Sequence, residues 1–336
     1  MGSKGFKNIL VVRNDRLGDL VLALPAATVL KRRYPEAKVT YLVSKNTAAL
    51  IPFAQDIDEA LTDPGKDVFE LAGMLRAYRF DAVVLLHPTL RLAAALRLAG
   101  IPVRAGTAYR WYSLLFNRRV KQHRKQNAKH EMEYNLDLVY QGLGFQPAAG
   151  ERYPAPVLTV PVELKEQLAR EYSRDFTLIH PGCSGSSKPW PLESFAKLAD
   201  GIQKAGGRAV ISLGPQELGL KASLKKHLMA DVGWAENLPL KDLAALISLA
   251  KVLVTNNTGP LHVAAAVGTK VIGLYCPTCQ LKRWGPYGEG HSVIRPPAGS
   301  CQKCSGQECP EYDCMEKITV EEVLAKVTET NTTGNS

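Results

Sequence analysis

Short runs of consecutive apolar residues alternate along this chain with longer segments in which apolar positions recur every three or four residues. The first kind reads as strands buried on both faces of a parallel sheet, the second as helices covering that sheet. In the first half the pattern predicts strands over residues 8–12, 39–43 and 82–86. Helices are expected over residues 19–33, 68–78, 90–99 and about 131–142. Residues 104–129 read as a loop. A stretch rich in proline, residues 146–161 with Pro147, Pro154, Pro156 and Pro161, reads as a linker. The alternation then restarts, with strands over 177–180, 209–213, 252–255 and 271–275 and helices over 192–205, 240–250 and 260–267. This is an α/β chain of two doubly wound domains, residues 1–150 and 165–318, with a cleft expected between them for ligands. No repeat of 20–50 residues is visible, and the polar tail 328–336 reads as frayed.

At 336 residues the chain is long enough for two cores. Its formal charge of +10 changes the picture once it is divided along the chain. Residues 1–150 hold 22 Lys and Arg against 13 Asp and Glu, whereas residues 151–336 hold 20 against 19. The positive excess therefore belongs to the first half, which suits an anionic partner there. It is densest at Arg104, Arg110, Arg118, Arg119, Lys121, Arg124, Lys125 and Lys129, with Trp111, Tyr112 and Phe116 interleaved and no carboxylate between them. The longest apolar stretches fall short of the roughly 18 residues needed to cross a bilayer, and residues 1–7 lead straight into a strand rather than a signal-peptide core. A reducing cytoplasm is the expected compartment, with peripheral contact at the inner face of the cytoplasmic membrane.

The chain has neither G-x-G-x-x-G after its first strand nor G-x-x-x-x-G-K-[ST] anywhere, so another device must hold phosphate. Asn256-Asn257-Thr258-Gly259-Pro260 stands between a predicted strand and helix. Thr258 can cap that helix, Gly259 permits close approach of a ligand, and Pro260 suits the first turn. Helix N–H groups would then face a diphosphate. His262, four residues after Thr258, shares its helix face. A second loop follows the first strand of the second half: His180-Pro181-Gly182-Cys183-Ser184-Gly185-Ser186-Ser187-Lys188-Pro189-Trp190. It is rich in donors, and Lys188 adds a point charge. In the first half, Arg13 to Asp19 follow the opening strand. Asp19 reads as the N-cap of the helix behind it, or equally as a general base.

These residues resemble glycosyltransferase family 9, the ADP-heptose:lipopolysaccharide heptosyltransferases, over about residues 7–326. The resemblance is carried by Ile9-Leu10-Val11-Val12-Arg13 through Leu17-Gly18-Asp19, by His180-Pro181-Gly182 with Lys188-Pro189-Trp190, and by Asn256 through His262. It implies a GT-B fold, with the acceptor held by the N-terminal domain and the nucleotide sugar by the C-terminal one. A C-terminal helix, residues 319–328, would return to the first domain. The implied reaction is an inverting transfer with no required metal. Asp19 would be the base, and Lys188 would stabilise the leaving group. Ser184, Lys188, Asn257, Thr258, Gly259 and His262 would surround the donor diphosphate and sugar, Glu217 the ribose, and Leu238 the adenine. Arg13, Arg16, Arg110, Arg118 and Arg119 would meet an anionic glycolipid acceptor. Asn257 departs from the acidic residue of many heptosyltransferases, and an amide there would read the donor sugar differently.

Cys301, Cys304, Cys309 and Cys314 lie close together near the C-terminus, and four thiolates could hold a structural zinc ion. Free thiols or a disulfide are the other reading. Cys276 and Cys279 form a further C-x-x-C, with Cys276 expected to pack at a strand end. Two other functions compete with sugar transfer. A GT-B-like sugar-nucleotide epimerase would need extra acid–base residues around the donor sugar. A basic nucleic-acid-binding protein would need the basic run near the four cysteines, from which it is far removed; nucleic acid is not an expected partner.

Overall fold

The structure is a computed structural model describing residues 5–65, 67–183, 185, 188–297, 299–301 and 313–332. It divides into two compact units, residues 1–158 and 159–336. The division falls inside the proline-rich stretch.

In the first unit β1 (Asn8–Arg13), α1 (Leu17–Val21), α2 (Pro25–Arg33), β2 (Lys38–Val43), β3 (Glu59–Thr62), α3 (Val68–Tyr78), β4 (Ala82–Leu85), α4 (Leu90–Leu98), β5 (Val103–Thr107), β6 (Arg118–Val120) and α5 (Glu131–Leu143) follow one another. Six parallel strands lie in the order β3-β2-β1-β4-β5-β6. β1 is central, pairing Val11 with Tyr41 on one side and Val84 on the other. Its Ile9, Leu10, Val11 and Val12 are completely buried, as the unbroken apolar run requires.

The helix expected over residues 19–33 is two helices. Pro25 has no N–H to continue α1 and instead begins α2. Carbonyls at the break are taken up from elsewhere: Asn135 Nδ2 donates to Leu22 O at 3.1 Å and the Tyr41 hydroxyl to Ala23 O at 2.9 Å. The basic segment expected to be a loop is also built structure. It supplies β5, β6 and two 3-10 helices, Trp111–Leu115 and Arg124–Gln126. Short strands with exposed arginines carry little apolar periodicity, so pattern alone passes over them.

The second unit runs α6 (Val162–Tyr172), β7 (Thr177–His180), α7 (Leu192–Lys204), β8 (Ala209–Leu213), α8 (Leu220–His227), β9 (Gly233–Glu236), α9 (Leu240–Leu249), β10 (Val252–Asn256), α10 (Gly259–Val267), β11 (Lys270–Leu274), α11 (Leu281–Trp284), β12 (Ser292–Ile294) and α12 (Val320–Thr332). Its parallel sheet has the order β12-β11-β10-β7-β8-β9, the same topology as the first. Both sheets thus match the doubly wound expectation. In the second unit α12 places Val323 and Val327 in the core that includes Phe195, Ala199 and Ile202 of α7. A Cβ at Gly201 of α7 would stand 3.0 Å from Leu324, so glycine lets the helices approach. Among the described residues no helix is long and apolar enough to cross a membrane.

Candidate functional site

Each sheet reverses its strand order once, between β1 and β4 in the first unit and between β7 and β10 in the second. At such a point the loops leaving the carboxyl ends part to opposite faces and leave a crevice. The Arg13–Asp19 segment follows β1, the loop from Pro181 to Trp190 follows β7 and the Asn257–His262 segment follows β10, three of these four strands.

In the first unit the end of β1 delivers Arg13 into a buried charge cluster. Its side chain is only 3% exposed. Nε donates to Asp15 at 2.8 Å, Nη1 to Asn135 Oδ1 at 3.2 Å and to Glu131 at 3.4 Å, and Nη2 to Asp19. Arg124 reaches the same Glu131 and Asn135 from the other side. Arg13 is therefore not an exposed acceptor cation, as expected from sequence; its guanidinium positions Asp19. Nor is Asp19 an N-cap. Arg16 holds that place, and Asp19 lies inside α1 with its carboxylate on Arg13. Burial is the largest influence on Asp19 and outweighs the attraction of Arg13; with Asp15 and Glu131 adding repulsion, its pKa is pushed up to about 6. A carboxylate poised there can accept a proton at neutral pH.

His87, just beyond β4, places Nδ1 3.7 Å from Asp15. Burial, with Arg13 and Arg110 nearby, outweighs Asp15 and holds its pKa below the ordinary histidine value. The same charges locate the remaining arginines. Arg16 acts on Asp19 and Arg110 on His87, so both border this group. Arg118 and Arg119 lie on β6, the sheet edge, two strands from β4. Sequence reasoning missed Asp15, His87, Arg124, Glu131 and Asn135. One signal was available: Glu131 and Asn135 stand four residues apart on a helix whose other positions are mostly apolar.

In the second unit β7 and β10 hold the loop 181–190 by one buried amide. Asn256 Nδ2 donates to Pro181 O at 2.9 Å, and Asn256 Oδ1 accepts from Trp190 N at 2.9 Å. Trp190 is wholly buried, its Nε1 donating to Ile318 O at 2.9 Å. Both ends of the loop are thus fixed at the end of β10. Lys188 stands two residues before the anchored tryptophan and Thr258 two residues after the anchoring asparagine. Lys188 is only 7% exposed, Thr258 and His262 are buried, and Asn257 and Gly259 are half-buried. Thr258 occupies the N-cap of α10, but its hydroxyl does not cap. It lies 3.3 Å from that of Thr255, which donates to His180 O at 2.9 Å. The Gly259 N–H thus has no side-chain cap from Thr258, while Pro260 has no N–H and Leu261 N donates to Thr258 O at 3.2 Å.

Glu217 follows β8. Its Oε2 accepts from Gly214 N at 2.8 Å, and Oε1 stands 3.5 Å from His180 Nε2. Burial alone would raise its pKa, but His180 and the Gly214 N–H outweigh burial and hold it below the usual range. A Cβ at Gly182 would overlap this carboxylate, so a side chain there would displace Glu217 from its present position. Leu238 is half-buried beyond β9, after Asn237 with φ +51°. In the sheet order β10, β7, β8, β9, the segments beyond the carboxyl ends therefore carry Thr258, Lys188, Glu217 and Leu238 in turn.

Ser184, Cys304 and Cys309 lie outside the described residues. Cys314 is buried in the core of the second unit and Cys301 packs against it. Among the described residues no three His, Cys, Asp or Glu side chains converge as a metal site. Cys276 is buried at the end of β11, as expected, and is bonded to Cys279.

Comparison with known proteins gives these two groups of residues a context. The profile of glycosyltransferase family 9 (heptosyltransferase) matches residues 68–315. A putative glycosyltransferase of Haemophilus influenzae is 30% identical over 96% of both chains. Lipopolysaccharide heptosyltransferase 2 of Escherichia coli is 28% identical over 80% of this chain and 83% of its own. Among solved structures, ADP-heptose lipopolysaccharide heptosyltransferase II of Escherichia coli superposes with a TM-score of 0.85 at 22% identity, covering 98% of this chain and 100% of that one.

Proposed function

The chain belongs to glycosyltransferase family 9, the heptosyltransferases, and from that premise we propose that it moves a heptose from ADP-heptose to an anionic lipopolysaccharide inner-core acceptor. Membership favours the transferase over the epimerase and nucleic-acid readings. The single observation that carries the donor half is the Asn256 latch, which fixes a lysine-bearing loop beside the start of α10. Lys188 and the α10 N-terminus together suit the two charges of a diphosphate. Glu217 is an acceptor for ribose hydroxyls, and Leu238 an apolar neighbour for a purine. Asn257 and His262 border the sugar.

In the proposed reaction the acceptor hydroxyl attacks the anomeric carbon of the heptose. Its proton passes to Asp19, the new C–O bond forms on the face opposite the departing phosphate, and ADP leaves with the electron pair of the broken bond. Lys188 and the helix N–H groups stabilise charge developing on that diphosphate. These groups supply the charge a metal ion would otherwise bring, so the transfer is expected to continue in chelator. Arg16 and Arg110, which border Asp19 and His87, would meet phosphate or carboxylate groups of the acceptor. The proposed location is the inner face of the cytoplasmic membrane. A structural zinc at Cys301, Cys304, Cys309 and Cys314 is a separate proposal, checked by metal analysis of purified protein.

Thermal-shift measurement against ADP, GDP, UDP and their sugars tests the reading. Stabilisation by ADP and ADP-heptose, growing with concentration, is expected. If no nucleoside diphosphate shifts the unfolding midpoint, the donor assignment is wrong.

A further inference from the structure

Trp111 and Leu114 are 75% and 70% exposed. Both belong to the 3-10 helix Trp111–Leu115. Side chains three residues apart in such a helix eclipse one another, so this pair projects side by side. The opposite side of the helix is clamped down. Tyr112 is buried and donates its hydroxyl to Pro88 O at 2.7 Å. Ser113 is buried, donating to Thr107 O at 2.7 Å and accepting from Arg110 N at 3.0 Å. The outward apolar pair is thus rigidly presented. It is not the frayed tip of a loop.

The charged residues that flank it in sequence have one sign. Arg110 immediately precedes the helix, and Arg118 and Arg119 follow it on the exposed edge strand β6, with Lys121 and Lys125 beyond. No carboxylate occurs between residues 104 and 129. The inward-turned cations of this segment are already committed, Arg124 to Glu131 and Arg104 to the carbonyls of Ile101 and Leu115. What remains outside is an amphipathic indole and a leucine in a segment whose exposed charged residues are all cationic. That combination suits the headgroup boundary of an anionic bilayer.

We propose that this is a membrane-docking face, with Trp111 and Leu114 entering the headgroup–acyl boundary of an anionic phospholipid bilayer and Arg118 and Arg119 lying over its phosphates. The proposal rests on the transferase reading only in its purpose, because an acceptor anchored in a bilayer must be met at the bilayer surface. Binding to the membrane is tested separately from binding to the donor.

The experiment is co-sedimentation of the full-length protein with vesicles of phosphatidylcholine alone or with about 30% phosphatidylglycerol, in low and high salt. The wild type should partition onto the anionic vesicles, more weakly onto neutral ones, and less at high salt. Arg118→Gln with Arg119→Gln should lower partition on the order of 30-fold. Trp111→Ser with Leu114→Ser should lower it by about tenfold or more. Both double variants should keep the wild-type circular dichroism spectrum and ADP-induced thermal shift, which separates docking from folding and from donor binding. Equal partition of wild type and variants overturns the proposal, as does failure of the wild type to bind anionic vesicles. So does a serine variant that loses a dimer by light scattering while keeping its vesicle binding, since the face would then join copies of the chain. If ADP shifts nothing while the vesicle results hold, the docking face stands and the transfer reading falls.

Discussion

Beneath the end of β1, three carboxylates share two guanidiniums: Asp15, Asp19 and Glu131 with Arg13 and Arg124. Burial of this group sets the chemistry of Asp19. Because the folded chain holds the Asp19 proton up to about pH 6 and the unfolded chain only to about 3.8, ionisation of Asp19 opposes folding. That cost is absent below about pH 4, develops as pH rises, and is complete above about pH 6. Asp19→Asn is therefore expected to be at least as stable as the wild type at pH 7.5, by on the order of 1–3 kcal/mol, with the difference vanishing near pH 4. Denaturant melts at the two pH values measure it. In the wild type, kcat/KM should rise about tenfold per pH unit below pH 6 and level off above it, while Asp19→Asn loses about 10²–10⁴-fold in rate. A variant that is inactive because it is unfolded would fail the first measurement.

Among the elements, β10 is the one on which the donor half depends. Its last residue spends the two ends of one amide on the two ends of the loop carrying Lys188. Asn256→Ala would leave Pro181 O and Trp190 N buried without that partner, at a cost of about 2–4 kcal/mol. ADP affinity should fall as well, because Lys188 loses its register with α10; calorimetric titration of the folded variant measures this. Asn256 was passed over in the sequence because it stands beside Asn257 in the same motif, and pattern cannot tell which of two asparagines turns inward. The end of the strand does: Asn256 is the last residue of β10, whose residues are all buried, and Asn257 is the first residue beyond it. The α1–α2 break was missed for a different reason: the apolar periodicity runs on across it, and one helix was expected over residues 19–33 although Pro25 cannot sit inside a helix. What could not be foreseen was that Tyr41 and Asn135 would satisfy the carbonyls it frees.

Over the whole molecule, the charge asymmetry and the two-unit division coincide. The basic excess belongs to residues 1–150 and the nearly neutral part to the unit proposed to bind the donor. Because α12 packs on α7, the second unit is contiguous in sequence and closes its own core. Residues 159–336 expressed alone should therefore fold and retain ADP binding, with a midpoint that rises with ADP concentration. Failure to fold would show that this core needs residues from the first unit.

The sequence by itself determined the α/β class and the places of the principal strands along the chain, because apolar periodicity acts over a few neighbours. It also fixed which half carries the charge. The tertiary structure decided what those residues face. Arg13 became a buried positioning group, Asp19 a member of α1 with a raised pKa, and residues 104–129 an ordered edge with an apolar pair outward. Each of these depends on partners far along the chain, such as Glu131 for Arg13 and Pro88 for Tyr112, and local pattern holds no record of which distant groups will share a buried space.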